Sequence, residues 1–337
     1  MLDFSASRLP PSRLTAPHPS SAPGSHSSDD LTTNGRSVRN PELRQACLPD
    51  REAPPGRAGP SLTTPPPSGF DARRFKRVER DGYNLIARRY LDGASARAAL
   101  TDALLEAANL SAGQTLLDLA SGPGVLAQAA LPRVAPGGRV IASDLAEATL
   151  AAGRSACPGL LCAAADAEAL PFPDHSFDRV LCGLGLMFFP DEHLALAEMR
   201  RVLRPRGRLA LSIWGAAGQA PLVECALACL RRLLPAPKVA RPSPLRLAPL
   251  LPDLLARAGF ADIDIRTCEL VFVYPDATGY WQAFLDLAGG AAGSLSRLPA
   301  ETQARFPVEV AQELEPFRAG GGFRLVNTVL IASALSG

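Results

Sequence analysis

The chain has 337 residues, 47% hydrophobic and 20% charged, with a formal net charge of +2. That composition supplies a sizeable core, while a nearly neutral balance without a basic, aromatic-interleaved stripe gives nucleic acid no footing as a partner. Arg, Asp, Glu or Pro interrupts every apolar run short of the about 20 residues that a membrane span needs, and the N-terminus lacks the charged start and apolar block of a secretory signal.

Residues 1–68 are rich in Pro, Ser, Arg and Gly and show no apolar period, so they are expected to be a disordered extension. Their Ser- and Arg-rich, acid-poor start leaves an organellar transit segment open beside a cytoplasmic location. Residues 69–337 are expected to form the folded domain. Apolar residues at helical spacing predict helices at 72–91 and 98–110. Strands are expected at 115–120, 139–143, 160–165, 177–183 and 207–214, with helices at 125–135, 147–155 and 192–203 between them. Continuous apolar strands separated by helices imply a doubly wound α/β fold with a parallel sheet. Beyond it lie helices at 223–234 and 249–258, a strand at 262–273, a helical pair at 277–287 and 301–317, and a last strand at 323–332.

The seven cysteines, Cys47, Cys157, Cys162, Cys182, Cys225, Cys229 and Cys268, are scattered and odd in number. They lack paired metal or redox spacing, so reduced thiols in a cytosol-like compartment and no metal are expected. Cys225 and Cys229 share a helix face and are read as core.

The densest chemistry lies at Leu116 to Leu126, where an apolar strand ends in Asp118, a small-residue turn follows and a helix begins. Small side chains there expose backbone to a polar ligand at a helix start. Asp118 comes four residues before Gly122 and six before Gly124, with no third glycine at the helix-packing position. Asp144 closes the second strand, where an acid can accept from both hydroxyls of a ribose. These features suit an adenosine ligand in general, including NAD.

The spacing resembles motif I of the class I S-adenosylmethionine (SAM) dependent methyltransferases. The stretch Ala165 to Asp178, with Asp166-Ala167 and a Pro-Phe turn running into Phe177-Asp178, is similar to the segment that faces adenine in that family. The stretches Gly185 to Asp191 and Glu198 to Leu209 resemble the ubiquinone and menaquinone biosynthesis methyltransferases, with Arg206 replacing the usual first glycine of a turn. The resemblance is specific from about Gln114 to Trp214. It implies a seven-stranded, mostly parallel sheet with the terminal strand antiparallel beside strand five, and a helical lid at about 277–317.

It also implies SAM as cofactor, held by Asp118, Ala120, Ser121, Gly122, Gly124, Asp144, Leu145, Asp166, Ala167 and Cys182. The expected function is methyl transfer to carbon or oxygen of a small quinone-like, phenolic or polyketide-type acceptor. Acceptor contacts are expected from Tyr83, Tyr90, Met187, Tyr280 and Trp281, with Phe188 beside Met187. No catalytic base is identified: His18 and His26 fall in the extension, and His175 and His193 read as surface residues. The rival readings are an NAD(P)-dependent oxidoreductase and a methyltransferase-like protein that binds SAM without catalysis.

Overall fold

The computed structural model describes residues 70–235 and 243–337; the expected disordered extension at 1–68, with Cys47, His18 and His26, lies outside them. The first helix, α1 (Ala72–Asp92), starts at Asp71, whose side chain accepts from the Arg74 N–H at 2.9 Å. Such a cap satisfies a donor that the first turn leaves without an intrahelical partner. A short 3₁₀ turn leads to α2 (Ala98–Ala108), which stops where Asn109 turns left-handed at φ 50.

The alternating part follows: β1 (Thr115–Leu119), α3 (Val125–Val134), β2 (Arg139–Asp144), α4 (Glu147–Ala156), β3 (Leu161–Ala164), β4 (Phe177–Gly183), α5 (Glu192–Val202) and β5 (Leu203–Trp214). The chain continues through α6 (Pro221–Leu233), α7 (Leu251–Arg257), β6 (Phe260–Tyr274), α8 (Ala277–Leu287), α9 (Gly289–Leu295), α10 (Ala300–Leu314), β7 (Arg318–Ala319) and β8 (Gly322–Ser336). The sheet runs β3-β2-β1-β4-β5-β8-β6. The first five strands pair in parallel, and β8 lies antiparallel between β5 and β6.

This is the expected mostly parallel α/β sheet with its antiparallel last strand, and the eighth strand is the two-residue β7 in a hairpin with β8. Successive strands leave β1 on one side and then the other, so a crevice opens at the carboxyl ends of β1 and β4. Ligands bind at such a switch point in open α/β sheets. The register aligns the chemistry there, with Asp118 opposite Ala142 and Leu181, and Asp144 opposite Ala164.

The C-terminal part is built as scaffold. Asn327 of β8 is fully buried, accepts from the Leu222 N–H at 2.8 Å and donates to the carbonyls of Leu270 and Leu325 at 3.3 Å. One buried amide thus ties α6, β6 and β8 together, its polar atoms paired as burial requires.

Several element ends shift from the sequence reading, and two departures have a structural reason. Strand β5 begins at Leu203 rather than at 207, crossing a register shift in its pairing with β4. The expected helical pair contains a third helix, α9, from a Gly-Gly-Ala-Ala-Gly stretch of poor helix propensity. It forms because its backbone lies against α1: a Cβ added at Gly82 would sit 2.0 Å from the Gly289 carbonyl oxygen, and one at Gly293 would sit 3.0 Å from the Gly82 Cα.

Candidate functional site

The turn after β1 is held in left-handed backbone by Ala120 (φ 52), Gly122 (φ 54) and Gly124 (φ 69). Glycine adopts this region without steric cost, whereas alanine does not, so Ala120 stores strain of the kind that gathers at binding sites. Leu184, at the end of β4, adopts the same conformation at φ 52.

Asp118 is 1% exposed, and its Oδ2 accepts from the Ala127 N–H at 2.9 Å. Burial pushes its carboxyl up to about 8 against the pull of that hydrogen bond. Desolvation disfavours the charged form of an acid and outweighs the single donor. The residue therefore pins the first turn of α3 to the end of β1 from underneath.

Asp144 braces the same turn from the side. Its Oδ2 accepts from the Gly122 N–H at 2.7 Å and its Oδ1 from the Ala146 N–H at 2.8 Å. Burial raises its pKa, and the N–H groups of Ala146, Gly122 and Leu145 oppose that rise. At the end of β3, Asp166 accepts from Lys76 Nζ at 2.6 Å and from the Glu168 N–H at 3.0 Å. Lys76 also reaches Glu168 Oε2 at 2.6 Å, so an α1 cation clamps the β3 loop.

These pieces border a solvent-open cavity of about 750 Å³, within the size of small-molecule sites. Ala120, Gly122, Asp144, Leu145, Asp166 and Ala167 line it, as does Tyr83. Tyr90 borders this cavity and a second one of about 530 Å³, which Asp118 and Ser121 line. Tyr83 meets Tyr90 and Phe188 edge-on, with ring centroids 5.7 Å apart in both pairs. The Tyr83 hydroxyl donates to the Leu287 carbonyl at 3.2 Å.

The remaining expected residues lie elsewhere. Gly124 lines neither cavity; a Cβ there would press 2.7 Å from Leu160 Cδ2, so its role is packing. Cys182 is fully buried beneath the site, and burial pushes its thiol up to about 12. Met187 is in the core, 6% exposed. Tyr280 is fully buried with its hydroxyl donating to the Leu222 carbonyl at 2.7 Å, and Trp281 stacks on Phe306 with centroids 5.0 Å apart. The segment expected as a lid lines neither cavity. Instead α1 borders the site, and α9 packs behind it.

Lys76, Glu79 and Arg80 of α1, together with Leu184 and with Gly185, Phe189 and Pro190 of the stretch Gly185 to Asp191, also line the first cavity and were not among the expected site residues. Their signal was the spacing 76, 79/80, 83, which puts polar and aromatic side chains on one helix face. Arg80 donates from Nε to Glu147 Oε2 at 2.9 Å, and the Ala148 N–H donates to Asn84 Oδ1 at 2.8 Å. The helix is thereby fastened to the start of α4. His175, whose Nδ1 lies 2.9 Å from the Leu203 carbonyl oxygen, and His193 line neither cavity.

The six described cysteines are free. No helix among the described residues is long and apolar enough to cross a membrane.

Residues 117–211 match the methyltransferase domain family. Over 106 residues the chain is 45% identical to the ubiquinone/menaquinone biosynthesis C-methyltransferase of Bordetella avium (strain 197N), covering 30% of this chain and 41% of that protein. Over 111 residues it is 40% identical to the protein of the same name from Hahella chejuensis (strain KCTC 2396), covering 31% and 45%. The chain thus spans less than half the length of these curated relatives. In fold it is similar to a candidate methyltransferase from Bacillus halodurans C-125, with a TM-score of 0.50 at 21% identity over 70% of this chain and 98% of that one. The family match and the likeness to the curated methyltransferases both fall on the segment from β1 to β5, which carries the turn at Asp118 to Gly124, and the fold of the chain is similar to that of the Bacillus halodurans protein.

Proposed function

We propose that this protein binds SAM in the first cavity and transfers its methyl group to carbon or oxygen of a small, flat acceptor of quinone-like, phenolic or polyketide type. The observation that carries this reading is the meeting of Gly122, Asp144 and the Asp166-Ala167 pair, from three strand ends, in one cavity also bordered by Tyr83, Tyr90 and Phe188.

The residues present fit the cofactor. Each Asp144 oxygen accepts one backbone N–H and keeps capacity for a ribose hydroxyl, since a carboxylate offers about four lone-pair sites. Ala167, small and buried beside Asp166, leaves an adenine ring room next to an acceptor for its amino group. Aromatic side chains offer flat contact area to an acceptor and favourable faces to a cationic sulfonium.

When bound, SAM supplies a methyl group activated by its positive sulfur. The chain's own task is then to hold donor and acceptor in line and keep water away from them. Neither described histidine lines either of these two cavities, and the titratable side chains that line the first include Glu79 and Lys76. The C-methyltransferase names of the relatives support carbon as the methylated atom.

Calorimetric titration of the full chain with S-adenosylhomocysteine and, separately, with NADH tests the cofactor. Micromolar binding of the first alone is expected, and Asp144→Ala should weaken it about tenfold or more, the worth of a charged hydrogen bond. NADH binding, or silence from both, would overturn the reading. Transfer of labelled methyl from SAM to quinol or phenol acceptors tests the activity; cofactor binding with no transfer to any of them would favour the non-catalytic rival.

A further inference from the structure

Three acids line the first cavity: Glu79 of α1, Asp144 at the end of β2 and Asp166 just beyond β3. Two of them are committed at the strand ends. Asp144 accepts from two backbone N–H groups, and Asp166 holds Lys76; the cofactor reading gives them the ribose and the adenine. Glu79 stands apart from both. It lies one helical turn before Tyr83 and on the same face of α1, and the Tyr83 ring meets Tyr90 and Phe188 edge-on.

Glu79 is only 9% exposed, yet it borders the open cavity. Its carboxyl occupies the space left by the missing side chain of Gly290 in α9, where a Cβ would lie 2.1 Å from Oε1 and 2.5 Å from Oε2. Any residue but glycine at 290 would displace it. Helix α9 brings no titratable side chain to the carboxyl, and the charged and titratable groups around the cavity are Lys76, Arg80, Tyr83, Tyr90, Asp144 and Asp166. Lys76 donates to Asp166 and Glu168 at 2.6 Å, and Arg80 to Glu147 at 2.9 Å. Burial raises the Tyr83 phenol well above its ordinary value, with Tyr90, Glu79 and Asp144 adding to the rise, and its hydroxyl donates to the Leu287 carbonyl. Tyr83 therefore stays protonated, and taking up a proton in this part of the cavity falls to a carboxylate.

We propose that Glu79 is the general base of the reaction and receives the proton that a phenolic or quinol acceptor loses on methylation; the inference rests on the function proposed above. As the acceptor atom forms its bond to the methyl carbon, the sulfur–methyl bond breaks and its electron pair stays on sulfur. The proton lost, from the hydroxyl for methylation at oxygen or from the methylated ring carbon for methylation at carbon, passes to a Glu79 oxygen and then to solvent through the open side of the cavity. Proton uptake by Glu79 and loss of charge at sulfur together turn two ions into two neutral groups, which a poorly hydrated site favours. A positioned base of this kind contributes about 10²-fold or more to the rate.

The test reads the proton directly. Wild type, Glu79→Gln and Glu79→Asp full-length proteins are titrated with S-adenosylhomocysteine by calorimetry and then, with that nucleoside saturating, with p-nitrophenol, whose absorbance reports its ionisation. All three proteins should bind the nucleoside alike. A carboxylate facing the phenol opposes a second negative charge, so p-nitrophenol bound to wild type should ionise about one pH unit or more above p-nitrophenol bound to Glu79→Gln, with Glu79→Asp between them. Transfer of labelled methyl to hydroquinone should fall about 10²-fold in Glu79→Gln and recover in part in Glu79→Asp. Equal ionisation of the phenol on wild type and Glu79→Gln, undiminished transfer by Glu79→Gln, or no p-nitrophenol binding by wild type would overturn the proposal. So would a loss of nucleoside affinity in Glu79→Gln as large as its loss of transfer, because Glu79 would then only seat α1 on α9. Failure of wild type to bind the nucleoside would instead sink the cofactor reading, and the p-nitrophenol titration without nucleoside would then decide Glu79 alone.

Discussion

The half of the sheet that carries β1 to β5 and the C-terminal third that carries β6 to β8 use the same residue types for opposite ends. Gly122 in the first half stands left-handed in a cavity wall, exposing its backbone. Gly289, Gly290 and Gly293 in the other let α9 touch α1. Tyr83 and Tyr90 border the cavities, while Tyr280 and Trp281 are sealed in the core. A glycine or an aromatic therefore borders the site according to where the fold puts it, Gly122 at a strand end of the switch point and Tyr83 and Tyr90 on helix α1 beside it, whereas in the C-terminal third the same residue types serve close packing.

Substitutions should separate these two uses, and the largest effect is expected at the helix contact. Gly82→Ala puts a methyl carbon 2.0 Å from the Gly289 carbonyl oxygen, an overlap that backbone must move to relieve. A loss of about 3 kcal/mol in urea unfolding is expected, with weaker cofactor binding because α1 borders the site. Full stability would mean that α1 and α9 do not touch as described.

The buried acid of the first half gives the next effect. The Asp118 carboxyl is raised from 3.8 to about 8, so between those values the folded state holds a proton that the unfolded state has released. Stability should accordingly fall as pH rises through this window and level off above it, by a few kcal/mol in order of magnitude. Asp118→Asn, compared with wild type by unfolding from pH 4.5 to 8.5, should lose that part of the decline. Parallel curves for the two proteins would show that Asp118 is ionised throughout.

In the C-terminal third, Tyr280→Phe removes a buried hydroxyl bonded to the Leu222 carbonyl. A loss of about 1 kcal/mol or somewhat more is expected, with the affinity for S-adenosylhomocysteine unchanged. A change in that affinity would restore Tyr280 to the site and erase the contrast between the regions. The smallest effect belongs to the exposed pair of Glu147 with Arg80, which pulls the Glu147 carboxyl down to about 2. Its stabilisation is present above the ordinary value of 4.5 and lost as pH falls toward 2, so Glu147→Gln at neutral pH should cost less than about 1 kcal/mol. Thermal melts in low and high salt would show the difference shrinking as salt rises.

The doubly wound sheet was legible from strand periodicity and the antiparallel last strand from the resemblance, and the β1 turn announced itself through Asp118, Gly122 and Gly124. Local chemistry governs such features: a run of apolar residues needs two covered faces, and a tight turn into a helix needs small residues. Asp144 and Asp166 were equally visible because one terminates β2 and the other lies just beyond the end of β3, where the strand direction brings the chain to the same rim.

What only the tertiary structure decided was which distant segments meet this rim. Helix α1, rather than residues 277–317, supplies Lys76, Arg80 and Tyr83 to the cavity, because glycine-to-glycine contact with α9 lets that helix seat closely. Cys182, Met187, Tyr280 and Trp281 went to the core because burying their large apolar surface is favourable wherever a packed neighbour exists. Sequence spacing thus determined the strand ends and their acids, while the long-range packing that chooses a neighbour for each helix face depends on shapes that no single segment contains.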